Sequence, residues 1–232
     1  MYRKSTADIE LQEFDFIDFG CKKGSSFSFC EDVLGGKRGL GIDNNPVYVE
    51  EFCEAGGRAI VADAAQTGLP SDAVRFVCVS HLLEHLPSLD VVEKVVLEAI
   101  RIASDFVCVV GPYFDADAYL RSKDMKFYWS DWSWHPTHVD AASLAGILRA
   151  HGYTDFECWG KIEITNSDYI AIHPTDSPSD QHGYDENLHP PKPSIQFDMP
   201  IYREMVFLIA LKGIPDRDSI INALDLARKL DV

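Results

Sequence analysis

The run Phe14-Asp15-Phe16-Ile17-Asp18-Phe19 is apolar and aromatic like a buried strand, carries an acid near its end, and breaks at once into Gly20-Cys21-Lys22-Lys23-Gly24. A strand that stops in a loop framed by two glycines reads as the first βα turn of a parallel sheet, because glycine lets the backbone turn sharply without a Cβ clash. The rest of the chain supplies the other strands. Residues 38–42, 58–62, 74–80 and 106–111 are short runs rich in β-branched and aromatic side chains, and residues 89–101 between the last two carry apolar side chains at helical spacing. The alternation predicts an α/β fold: a doubly wound, mostly parallel sheet with helices on both faces.

With 232 residues, 46% of them hydrophobic, the chain can bury one sizeable core but is short for two. One domain over residues 1–232 is expected, residues 1–13 forming an N-terminal extension. The formal net charge of −16 repels phosphate backbones and anionic surfaces, so neither a nucleic-acid nor a membrane partner is expected. Six cysteines are scattered without a CxxC pair, several inside apolar runs, which favours reduced, buried thiols. Met1-Tyr2-Arg3-Lys4 leads into polar residues rather than an apolar signal segment, and no apolar run reaches membrane-span length. A cytoplasmic protein is the expectation.

Past residue 112 the character changes. Residues 128–138 hold Tyr128, Trp129, Trp132, Trp134, His135 and His138, a density that suits a surface loop with a function. A helix is predicted over residues 141–150, started by Asp140 and stopped by Gly152, with His151 compensating the dipole of its last turn. Residues 174–200 contain six of the twelve prolines, which excludes a regular helix or a central strand. Residues 165–202 are therefore read as a proline-rich insertion between late strands at 157–164 and 203–211. Such loops serve as lids, binding loops or oligomer contacts, and the last of these admits a homodimer. Residues 219–230 close the chain as an amphipathic helix within a helical tail, 214–232.

Several strand ends share one carboxyl edge. Asp43 ends the second strand, where an acid can grip the two hydroxyls of a ribose; Asp63-Ala64 end the third, and Ser80-His81-Leu82-Leu83-Glu84-His85-Leu86 follow the fourth. Together with Asp18-Phe19-Gly20-Cys21-Lys22-Lys23-Gly24, this set resembles the class I S-adenosylmethionine-dependent methyltransferases, over roughly residues 14–212. The resemblance implies a seven-stranded sheet closed by an antiparallel late strand, and S-adenosylmethionine as the cofactor. It places Asp18, Gly20 and Gly24 around the methionine part of the cofactor, Asp43 at the ribose, Asp63 and the Ala64 backbone at the adenine, and Ser80 and His81 near the amino group. One departure stands out: Lys22 occupies the position of the family's middle glycine, so a tighter or reshaped loop is expected there. The loop does not supply the G-x-G-x-x-G of dinucleotide-binding dehydrogenases.

Methyl transfer from a sulfonium needs a held acceptor and, for a hydroxyl, removal of its proton, so no covalent nucleophile is required. His135 and His138 are the candidate bases or acceptor-positioning groups. The simplest arrangement uses no metal. The resemblance also offers a metal-assisted alternative, in which His81, Glu84, His85 and His138 hold a divalent ion. His81-Leu82-Leu83-Glu84-His85 matches the H-x-x-E-H of inverted zinc hydrolases as well, although here it follows a strand rather than lying within a long helix. Trp129, Trp132 and Trp134 serve either an acceptor pocket or packing. The reading is a methyltransferase acting on oxygen of a small molecule or glycan. The alternative is a non-catalytic binding or assembly subunit that keeps the sheet.

Overall fold

A computed structural model describes residues 10–179 and 182–232; most of the N-terminal extension, residues 1–9, lies outside them. Five parallel strands come first: β1 (Phe16–Phe19), β2 (Gly39–Asp43), β3 (Ala59–Val61), β4 (Val74–Ser80) and β5 (Ala103–Pro112). They are joined by α1 (Phe27–Asp32), α2 (Pro46–Glu54) and α3 (Leu89–Ile102). After β5 come α4 (Asp117–Arg121), β6 (Met125–Phe127), α5 (Ala141–Ala150), β7 (Phe156–Asn166), β8 (Ile172–Pro174), β9 (Gln196–Ala210), α6 (Arg217–Ala223) and β10 (Leu226–Leu230). The main sheet runs β10-β7-β9-β5-β4-β1-β2-β3, and β6 pairs with β8 as a separate antiparallel ribbon.

The strand period of two sorts side chains to two faces. Phe16, Phe76 and Phe106 come from β1, β4 and β5 and stack in one row, with neighbouring ring centroids 5.2 and 4.8 Å apart and planes tilted by 10°. This row packs with Cys30 and Leu34 beside α1, and with Ile220 and Leu224 at α6. The alternate residues Ile17, Val77, Val107 and Phe207 face the other way, onto Val92, Val95, Val96 and Ala99 of α3 and Leu144 and Leu148 of α5. Each fully buried side chain of this size contributes about 1.5–3 kcal/mol. Burying both faces is what a parallel sheet requires.

Local signals start the helices, at Asp140 where one was expected and at Asn45 where none had been. The Asn45 side chain accepts from Val47 N–H ahead of Pro46, and Asp140 accepts from Ser143 N–H at 2.7 Å at the head of α5. His151 does more than offset a dipole, since its Nε2 lies 2.7 Å from Glu93 on α3. The six cysteines are free thiols, five of them buried. No helix among the described residues is long and apolar enough to cross a membrane.

Three expectations need correction. The sheet has eight strands, not seven, because the tail is not one helix: α6 stops before Asp225, whose φ of 49° turns the chain, and β10 then pairs antiparallel with β7. The proline-rich insertion is partly ordered into strands. β8 lies within it, and β9 starts at Gln196, well before residue 203. Pro200 is tolerated in β9 because the register with β7 shifts between Ile164 and Asn166, and an irregularity of this kind frees a position from the ladder.

Candidate functional site

The carboxyl ends of β1, β2 and β4 are level, with Phe19 opposite both Ile42 and Val79. The loop after β1 folds back on β2: Gly20 and Cys21 N–H both donate to the Ile42 carbonyl, at 2.7 and 3.1 Å. Gly20, Lys22 and Gly24 have φ of 70°, 46° and 81°. Lys22 thus takes the left-handed conformation that a glycine would, and the loop accommodates the lysine without losing the turn. Its N–H donates to Asp43 Oδ2 at 2.9 Å, while Asn45 N–H donates to Asp43 Oδ1 at 2.8 Å. Each carboxylate oxygen keeps a second lone pair for a ligand hydroxyl.

A cavity of about 550 Å³ opens above this edge. Of the residues predicted to hold the cofactor, Gly20, Asp43, Asp63, Ala64 and His81 line it, joined by Lys22, Tyr48, His85 and Trp132. Three others do not line it. Gly24 packs under the Phe52 ring. Ser80 ends β4, opposite Val110. Asp18 is fully buried beneath the loop, its Oδ2 accepting from Ser26 Oγ at 2.5 Å and its Oδ1 without a hydrogen-bond partner among the described residues. Burial raises the Asp18 carboxyl to about 7, against the Ser26 hydrogen bond, and the nearby Asp43 charge adds to the rise.

A second cavity of about 260 Å³ adjoins the first, and Lys22, His81, His85 and Trp132 line both. Its own walls include Glu84, Tyr128, Trp129, His135, Arg203 and Glu204. The aromatic segment is drawn over it by hydrogen bonds to the turn after β4: His85 Nδ1 to the Trp134 carbonyl at 2.8 Å, and Thr137 Oγ1 to the Leu86 carbonyl at 2.6 Å. From the other side, buried Lys126 on β6 bonds Asp131 at 3.1 Å and the Ser177 carbonyl at 2.7 Å, tying the segment to the insertion.

His81 has a φ of 50° and bridges two carboxylates, with Nδ1 3.3 Å from Glu84 and Nε2 3.6 Å from Glu204. Burial opposes its protonation, but hydrogen bonds and charge from Glu204 and Glu84 outweigh burial and lift it to about 9. Glu204 is held at about 2: burial pulls it upward, and the His81 hydrogen bond with the charges of His81, Lys161 and Arg203 pulls it further down. Burial lowers His135 to about 4. No local signal in the sequence picks out Glu204, which reaches the site only because β9 inserts antiparallel next to β5.

His138 lies apart from His135. It stacks on Phe114 with centroids 4.2 Å apart and pairs with Asp117 at 3.1 Å, and it lines neither cavity. The metal set built on His81, Glu84, His85 and His138 is therefore not assembled. The zinc-hydrolase pattern fails as well, since a single 3₁₀ turn, Leu83–His85, follows the strand and His81 is engaged by two carboxylates. Trp129 is buried and stacks on Phe127 at 4.3 Å, Trp132 lines both cavities, and Trp134 is 70% exposed at the rim of the larger one.

Residues 17–105 match the family model described as a methyltransferase domain. A search of curated proteins found no match. Among solved structures, a SAM-dependent methyltransferase from Archaeoglobus fulgidus is similar at 18% identity, over 85% of this chain and 86% of that one, with a TM-score of 0.58. A SAM-dependent methyltransferase from Thermotoga maritima is similar at 15% identity, over 88% of each chain, with a TM-score of 0.54. The matched segment holds the strand ends that build the larger cavity, and the chain has the fold of the class I S-adenosylmethionine-dependent methyltransferases, whose cofactor is S-adenosylmethionine.

Proposed function

We propose that the chain is a methyltransferase that binds S-adenosylmethionine in the larger cavity and transfers its methyl group to an oxygen of a small molecule or glycan held in the smaller one. The observation that carries the reading is the junction: Lys22, His81, His85 and Trp132 line both cavities, so a donor in one can face an acceptor in the other. The Asp43 carboxylate takes the ribose hydroxyls, and Asp63 with the Ala64 backbone faces the adenine. The methionine end lies toward Gly20, Lys22 and His81.

The transfer is a displacement in which a lone pair on the acceptor oxygen attacks the methyl carbon. The carbon–sulfur bond breaks, its electron pair stays on sulfur, and the hydroxyl proton leaves. The protein supplies alignment. His135 stands at the acceptor side as the group that positions the hydroxyl. The non-catalytic alternative drew on Lys22 together with the proline-rich insertion, and the first of these motives weakens because the lysine keeps the left-handed turn.

Calorimetric titration with S-adenosylmethionine and with S-adenosylhomocysteine tests the reading. Saturable binding to folded protein is expected, weakened in Asp43→Ala. Absence of binding by folded protein would remove the methyltransferase assignment.

A further inference from the structure

In the smaller cavity one donor atom from each of Glu84, His85 and His135 lies within 4.8 Å of the other two. Both imidazoles are fixed from behind. His85 Nδ1 is 2.8 Å from the Trp134 carbonyl, and His135 Nδ1 is 3.1 Å from the Trp129 carbonyl. A carbonyl only accepts, so in each neutral ring the proton sits on Nδ1 and the lone pair on Nε2. Backbone carbonyls orient metal-binding imidazoles in this way. The two rings meet edge to face, centroids 4.9 Å apart, and Trp132 walls them in at 5.8 and 4.6 Å.

The third group is a carboxylate with only 3% of its side chain exposed, and its ion pair with His81 is long at 3.3 Å. A carboxylate this buried is costly unless strongly compensated. His81 is divided between Glu84 and Glu204, so among the described residues Glu84 has no cationic partner to itself.

We propose that Glu84, His85 and His135 form a binding site for a divalent first-row transition ion, which holds the acceptor oxygen where the two cavities meet. The acceptor role rests on the methyltransferase reading; the ion site itself does not. Bonds of about 2.0–2.2 Å bring three donors to roughly 3.4 Å from one another, so small side-chain rotations close the set. Two imidazoles and one carboxylate suit zinc or ferrous iron, whereas magnesium prefers oxygen ligands in near-ideal octahedral geometry. Three protein ligands leave a position open for substrate. An acceptor hydroxyl bound there loses its proton to solvent more readily. Its oxygen then attacks the methyl carbon, and the carbon–sulfur pair departs on sulfur.

Chelator-treated full-length protein is titrated with Zn²⁺ by calorimetry and with Co²⁺ by visible absorption, and S-adenosylhomocysteine is titrated into the same samples. One equivalent of ion is expected, with Co²⁺ ligand-field bands. Glu84→Gln and His135→Ala should each weaken it at least ~10-fold, and His138→Ala should not. Where the buried variants fail to fold, half-exposed His85→Ala gives the same readout. Protein that binds S-adenosylhomocysteine but no ion, or that binds the ion unchanged in folded ligand variants, overturns the site. Ion binding lost in the ligand variants but present in a protein that never binds S-adenosylhomocysteine supports the ion site and removes the acceptor role.

Discussion

The backbone N–H of Lys22 donates to Asp43 Oδ2 at 2.9 Å, so the acid that ends β2 also fastens the turn that follows β1. Asp43→Ala removes that bond, the bond from Asn45 and a negative charge at the wall of the larger cavity. S-adenosylhomocysteine affinity should fall ~10–100-fold, the value of one or two hydrogen bonds to a charged group. Asp43→Asn, which keeps one accepting oxygen, should lie between the two. Calorimetry on the three proteins checks the order; equal affinities would mean that Asp43 does not touch the ligand.

Gly24 is constrained by packing rather than by ligand. A Cβ there would lie 2.1 Å from Phe52 Cε2, and the backbone has a φ of 81°. Gly24→Ala therefore combines a left-handed conformation with a clash against a ring, and should cost about 2–4 kcal/mol. Urea unfolding measures it, and a loss under about 0.5 kcal/mol would show that the Phe52 ring moves freely.

Asp18 should make stability depend on pH. The folded carboxyl titrates near 7 against an ordinary value of 3.8, so the native state keeps a proton that the unfolded chain releases near pH 4. The contribution is complete below about pH 4, declines as pH rises, and is gone above about pH 7, a loss of roughly 4 kcal/mol. Asp18→Asn can still accept from Ser26 and carries no charge, so it should flatten this slope. Urea unfolding of both proteins at pH 5 and pH 8 decides; parallel pH dependence would mean that Asp18 is ionised in the folded protein.

For His138 the geometry predicts a structural effect only. His138→Ala removes the Phe114 stack and the Asp117 pair and should lower stability by about 1 kcal/mol, while S-adenosylhomocysteine affinity stays unchanged. An affinity loss with stability intact would place His138 in the site after all.

How legible these features were depends on whether the relevant contacts are local. The β1 loop, Asp43 and the helix cap at Asp140 are readable because strand, turn and cap chemistry are written within a few residues. The tail misled because Ile220, Leu224 and Leu230 fit a helical period as well as they fit a turn of helix followed by a strand, and only Asp225 at positive φ separates the two. The choice between His135 and His138 could not be read at all, since both sit in one aromatic turn. Remote partners decide it: Phe114 and Asp117 hold one, Glu84 and His85 surround the other. Glu204 was invisible for the same reason.

The pairing of β5 with β9 joins residues about a hundred positions apart, Phe106 with Ala210 among them, whereas the longest parallel crossover joins Phe16 with Phe76. Loop-closure entropy delays such remote pairings. The five parallel strands are thus expected to assemble first, with one flank of β5 open. The aromatic segment and the insertion both lie in the stretch between β5 and β9. Pulsed hydrogen exchange should show β9 amides protected after those of β1 and β4, and simultaneous protection would refute the sequence of events. Maturation then runs from floor to roof: the ledge of strand ends under the larger cavity forms before the canopy that encloses the smaller one.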